Sequence, residues 1–238
     1  MDRFVRVFIM LLLAFAPGLA PGARADAEAG WQAYLAGNYR AALAALKPPA
    51  EAGDPAAQYA LGALHSDGLA VPRSYREAAR WYEQAAAQGH PAAQFSLGFL
   101  YYYGAGVDPA DDPVARDPAR AARWLTPAAE GGEAMAQYLL GHLYHMGEGV
   151  PEDEDRALRW ILPAAERGIL AAQAEAGVLL GARHHGFQGW IEAAKWLILA
   201  SRAGVPGAGE NLAKLKQRLN WKEIEEAEAL AEAWRPAR

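Results

Sequence analysis

The chain has 238 residues, 53% of them hydrophobic, with 23 basic and 28 acidic side chains giving a formal net charge of −5. That balance provides no electrostatic footing on nucleic acid or an anionic membrane. Zero cysteine removes disulfides and thiol nucleophiles, so stability has to come from packing.

Residues 1–25 read as a secretory signal peptide. Arg3 and Arg6 form a basic start, Val7 to Ala16 is an unbroken apolar run, Pro17 and Gly18 end it, and Ala23-Arg24-Ala25 fits the small-x-small pattern before a cut. Cleavage is predicted after Ala25. A membrane anchor needs about 20 apolar residues, and this run is about half that. The expected compartment is the periplasm or the exterior, without membrane insertion after removal of the signal.

Downstream, one phrase recurs. It reads AAQYALGALH from Ala56, AAQFSLGFLY from Ala92, MAQYLLGHLY from Met135 and, degraded, AAQAEAGVLL from Ala171. The internal glycines Gly62, Gly98, Gly141 and Gly177 lie 36, 43 and 36 residues apart, and Trp81, Trp124, Trp160 and Trp196 follow at 43, 36 and 36. A period of this size with helical patterning predicts stacked helix pairs, an all-α solenoid. The repeats are bounded at residues 53–88, 89–131, 132–167 and 168–203.

Within one copy, Asp54-Pro55 predicts an N-cap followed by proline at the first helical position. Ala57, Leu61, Leu64 and His65 recur as Ala93, Leu97, Leu100 and Tyr101, a stripe for a buried helical face. A glycine-rich stop follows, then a second helix from about Ser74 to Gln88. Glycine inside a helix costs about 1 kcal/mol relative to alanine. Four in register imply a close neighbour, here predicted to be the helix carrying the tryptophan 19 residues later, or 26 in the longer copy two. Pro48, Pro127 and Pro163 fall inside second helices and predict bends. Glu51, Glu130 and Glu166 read as solvated residues near helix ends.

These words resemble the Sel1-like repeat family, a subclass of tetratricopeptide-type helical repeats. The resemblance rests on A-x-Q-[YF]-x-x-G-x-L-[YH], on the turns Gly104-Ala105-Gly106-Val107 and Gly147-Glu148-Gly149-Val150, and on the openings Ala78-Ala79-Arg80-Trp81, Ala121-Ala122-Arg123-Trp124 and Ala157-Leu158-Arg159-Trp160. It implies a right-handed α/α superhelix. Residues 26–52 look like the helix-pair lead-in of exported members, and residues 204–238, with Asn211 to Leu219 and Glu223 to Trp234, like a polar closing pair. Members of the family act as adaptors and scaffolds in bacterial envelopes and signalling complexes. The resemblance therefore implies a non-enzymatic adaptor, scaffold or regulator that holds an unidentified envelope protein on its concave helical face.

Two places break the repeat. Copy two carries extra residues at Pro109 to Pro118, acidic and proline-rich, predicted to protrude. Copy four replaces the turn with Leu180, Gly181 and His184-His185-Gly186. On the first helices, Tyr59, Ala63 and Ser66 align with Phe95, Phe99 and Tyr102 and with Tyr138, His142 and His145, each triplet forming one line on one face. Tyr103 and Met146 extend it. Phe99, Tyr102, Tyr103, His142, His145 and Met146 are the candidate partner contacts, an aromatic and histidine strip of the kind that supplies interface hot spots.

The alternative is a periplasmic enzyme or binding protein for a cell-wall or polysaccharide fragment, with the strip as a sugar platform. A cysteine-rich branch of the family is linked to beta-lactam binding or hydrolysis, but it depends on paired cysteines, which this chain does not have. Its four serines sit in no S-x-x-K or G-x-S-x-G setting, so no catalytic residue is expected. No cofactor is expected either. His142 and His145 lack an H-E-x-x-H context, and no carboxylate lies at helical spacing from His142, so no metal is predicted.

Overall fold

The computed structural model describes residues 21–106, 108–182 and 186–237. The predicted signal segment up to residue 20, and His184-His185, lie outside the described residues. Helices follow in order: α1 (Pro21–Leu35), α2 (Tyr39–Glu51), α3 (Pro55–Asp67), α4 (Tyr75–Ala87), α5 (Pro91–Tyr103), a 3-10 turn (Pro109–Asp111), α6 (Pro118–Glu130), α7 (Ala134–Met146), α8 (Glu154–Glu166), α9 (Leu170–Ala182), α10 (Gly186–Arg202), α11 (Ala208–Lys216) and α12 (Trp221–Ala233). Each repeat supplies one pair, from α3 with α4 to α9 with α10. Among the described residues, no helix is long and apolar enough to cross a membrane.

Local signals act as their chemistry requires. Asp54 accepts the Ala57 N–H at 2.7 Å ahead of Pro55, and Ser74 caps α4 through the Glu77 N–H. Gly68 and Gly147 end α3 and α7 in left-handed conformations, at φ 68° and 65°, which favour glycine. Pro48, Pro127 and Pro163 do lie inside α2, α6 and α8.

The chain divides into two compact units after Pro127. In the first, Trp31, Leu46, Leu61 and Leu64 pack with buried alanines of α2 and α3. Tyr59 stacks between Trp31 and His90, so it serves packing between repeats. In the second unit, Ile161, Leu179 and Trp196 form one cluster, and Ile191, Leu197, Leu215 and Ala227 another.

The repeated glycines sit where helices touch. A methyl carbon at Gly62 would lie 2.5 Å from the Tyr82 ring, at Gly98 2.8 Å from Leu125 Cγ, at Gly141 2.5 Å from Ile161 Cγ1, and at Gly177 2.6 Å from Leu197 Cγ. The neighbouring helix is the predicted one, but the touching residue is the one after each tryptophan. Trp124 and Trp196 are buried, while Trp81 and Trp160 are half-buried.

A second repeated device joins successive pairs. Gln58, Gln94, Gln137 and Gln173 each donate from Nε2 to the carbonyl eight residues back, those of Ala50, Ala86, Ala129 and Ala165, at 3.1–3.3 Å. Each of these helix-end carbonyls also accepts the N–H of the closing glycine, Gly53, Gly89, Gly132 or Gly168, so the amide adds a second hydrogen bond to the same oxygen.

The copy-two insertion does not simply protrude. Ala105 and Val114 exchange both backbone hydrogen bonds as an antiparallel bridge, at 2.9 Å each. Asp112 receives the Ser74 hydroxyl at 2.9 Å and pairs with Arg76 Nε at 2.9 Å, while Asp111 faces Arg73. Opposite charges therefore lay the insertion against the start of α4.

Glu166 also departs from its solvated reading. It accepts Trp234 Nε1–H at 3.2 Å, faces Lys195 at 3.7 Å, and its backbone carbonyl accepts the Ala237 N–H at 2.8 Å. Trp234 meets Trp196 edge-on, with centroids 6.2 Å apart. This clasp folds the C-terminal residues onto α8.

Candidate interaction site

The predicted strip falls in two places, each within its own unit. On α5, Phe99 and Tyr103 are 41% and 57% exposed, which is uncommon for side chains of this size in a packed array. Their centroids are 4.7 Å apart, and Phe95 follows at 5.8 Å from Phe99. The i, i+4 spacing stacks these rings one turn above another on the same face. Beside them lies an open cavity of about 410 Å³, walled by Tyr75, Tyr82, Phe95, Phe99 and Leu100, with Ser66 and Ser96 at its polar edge.

Tyr102 is a correction to the predicted contacts. It is 8% exposed, with Arg116 Nε donating to its backbone carbonyl at 3.0 Å and the guanidinium 5.9 Å from its ring centroid. Arg116 belongs to the insertion, so the extra residues of copy two bury the ring that the stripe assigned to a partner. Tyr103, one residue on, takes the exposed position.

On α7, Met146 is 53% exposed, whereas His142 and His145 turn toward a partner within the chain. Both Nδ1 atoms converge on the carboxylate of Glu175 in α9, His142 at 3.0 Å from each oxygen and His145 at 2.8 Å from Oε1. The Glu175 side chain is 12% exposed and each imidazole 29%. Burial alone would push the Glu175 carboxyl up, but the hydrogen bonds and charges of the two histidines outweigh it and hold the group below its ordinary value. An anionic carboxylate between two imidazoles is thus built across neighbouring repeats.

No carboxylate lies at helical spacing from His142, so no local pattern marks this group. Glu175 comes from 33 residues downstream, brought in by the register between α7 and α9. The ligand atoms of His142, His145 and Glu175 all lie within 4.8 Å of one another, a donor set able to hold a metal ion.

Comparison with known proteins agrees with this architecture. The Sel1 repeat family model matches residues 55–90, 91–133, 134–169 and 191–205, more than half of the chain. The last segment covers only the second helix of copy four, in keeping with the decay of its first-helix phrase. The chain is similar to a Sel1 repeat protein from Oxalobacter formigenes, at 27% identity and a TM-score of 0.63 over 87% of this chain and 82% of that one. It is also similar to c5321, a protective antigen present in uropathogenic Escherichia coli strains, at 26% identity and a TM-score of 0.52 over 88% of this chain and 52% of that one. No curated protein matches it. Sel1-repeat proteins are generally protein-interaction scaffolds, and the fold is typically non-enzymatic. By its repeated helix pairs and by these matches, the chain belongs to the Sel1-repeat family, an all-α solenoid fold.

Proposed function

We propose that this chain is a non-enzymatic adaptor or scaffold of the bacterial periplasm, and that it binds an envelope protein through the aromatic face of α5. The observation that carries this reading is the exposure of Phe99 and Tyr103 beside an apolar cavity. Large rings held rigidly by i, i+4 stacking lose little conformational entropy on binding and bury much area, the properties of interface anchors. The periplasmic assignment is supported by the basic start, the apolar run and the Ala23-Arg24-Ala25 pattern. A sugar platform sets aromatics beside carboxylates or amides, and the lining of this cavity supplies neither type of side chain.

The test is photo-crosslinking in intact cells from an unnatural residue at position 103, followed by fractionation and mass spectrometry. A Phe99→Glu variant with natural helical content serves as the comparison. One envelope protein crosslinked by the parent chain and lost with Phe99→Glu supports the reading. Equal crosslinking with and without Phe99→Glu refutes this placement of the interface.

A further inference from the structure

We propose that His142, His145 and Glu175 form a binding site for a single transition-metal dication of the zinc class, which ties copy three to copy four. The argument begins with the donor set. Two imidazole nitrogens and one carboxylate oxygen suit Zn²⁺, Co²⁺, Ni²⁺ and Cu²⁺, whereas Mg²⁺ and Ca²⁺ prefer oxygen alone. His142 and His145 are three residues apart on α7, so their rings share one face, and Glu175 meets them from α9.

The distances point the same way. Metal–ligand bonds of about 2.0–2.2 Å in a tetrahedron put neighbouring ligand atoms roughly 3.3 Å apart. The observed Nδ1-to-oxygen separations are 2.8–3.0 Å. Each of these needs to open by only a few tenths of an ångström, and all three ligand atoms already lie within 4.8 Å of one another. The carboxylate brings one negative charge against the ion, and neutral imidazoles bring lone pairs. The half-buried rings leave the site open enough for an ion to enter.

Three protein ligands leave a fourth position for water or for a donor from a bound partner. Because the ligands come from two repeats, binding is linked to their docking, and the ion stabilises the packed state by mass action. This inference is independent of the α5 interface, which lies in the other unit.

The experiment uses the mature chain without a histidine tag, stripped of metal and titrated with Zn²⁺ against a chromophoric chelator, then with Co²⁺ followed by visible absorption. The expected result is one Zn²⁺ per chain and the intense ligand-field bands of four-coordinate Co²⁺. Glu175→Gln and His145→Asn should each weaken Zn²⁺ binding at least about tenfold, since even an outer-shell partner is worth that much. A third measurement needs no variant: bound Co²⁺ should shift two imidazole N–H signals of the natural chain far outside the diamagnetic range. Binding weaker than about 0.1 mM overturns the proposal, as does binding that survives both substitutions or a Co²⁺ complex without shifted imidazole signals.

Discussion

Replacing Gly141 with alanine places a methyl carbon 2.5 Å from Ile161 Cγ1, 2.9 Å from the Ala157 carbonyl oxygen and 3.1 Å from the Ile161 backbone nitrogen. The first contact can yield by rotation of Ile161; the other two are backbone, so α7 and α8 have to separate. Overpacking of this kind costs about 1–3 kcal/mol. Against it stands about 1 kcal/mol of helix propensity recovered by alanine. Overpacking wins, leaving a net loss of up to about 2 kcal/mol, or several degrees in Tm for a domain of this size. Gly181, on α9, is the internal control. A methyl there meets nothing nearer than 3.6 Å, at Leu215 Cδ1, so propensity acts alone and the protein gains about 0.4–1 kcal/mol. Urea unfolding followed by circular dichroism measures both variants. If Gly141→Ala matches or exceeds the parent in stability while Gly181→Ala does not gain, close helix approach is not what requires glycine in this array.

His90 caps α5 through Nδ1, which accepts the Ala93 N–H at 3.2 Å, so that nitrogen must stay unprotonated. Burial pushes its pKa down to about 4. Between roughly pH 6.5 and pH 4 the unfolded chain takes up a proton that the folded chain refuses, so stability falls as pH drops through that window, by at most about 3 kcal/mol. His90→Asn keeps a capping acceptor without the titration. The difference in urea midpoint between pH 7 and pH 4.5 should therefore shrink in the variant, and an equal difference in both proteins refutes the assignment. Gln173 is 1% exposed and donates to the Ala165 carbonyl, which also accepts the Gly168 N–H, so Gln173→Met removes one of two hydrogen bonds and should cost about 0.5–1.5 kcal/mol. A melting curve unchanged by Gln173→Met would show that the amide contributes only bulk.

Much of the fold was legible because it is written in short-range signals. Asp54-Pro55, the glycine stops and the recurrent apolar stripe each act within one helix, and their repetition fixes the pairing of helices. The parts that were not legible depend on register between elements distant in sequence. The residue opposite Gly62 is Tyr82, not Trp81, because successive helical residues point about 100° apart and only the crossing geometry selects one. Tyr102 and Tyr103 were equally eligible for exposure until Arg116, from the insertion, covered the first. The same insertion carries two aspartates opposite Arg73 and Arg76, a match across more than 30 residues that no local pattern announces. Glu175 reads as an ordinary surface residue of α9 until the register with the preceding repeat places it between two histidines.

The clasp at Glu166 bears on the order in which this protein can complete itself. Most helix contacts join neighbours in sequence, so a chain emerging N-terminus first can dock each helix as it appears. Glu166 is different, because Trp234 reaches it from 68 residues away and Ala237 from farther still. The end of α8 therefore stays unsealed while the following helices are still arriving, and during that interval Trp196 lacks its edge-on neighbour. Vectorial assembly thus leaves a brief window in which the second unit is stacked but not fastened, and the final residues close it.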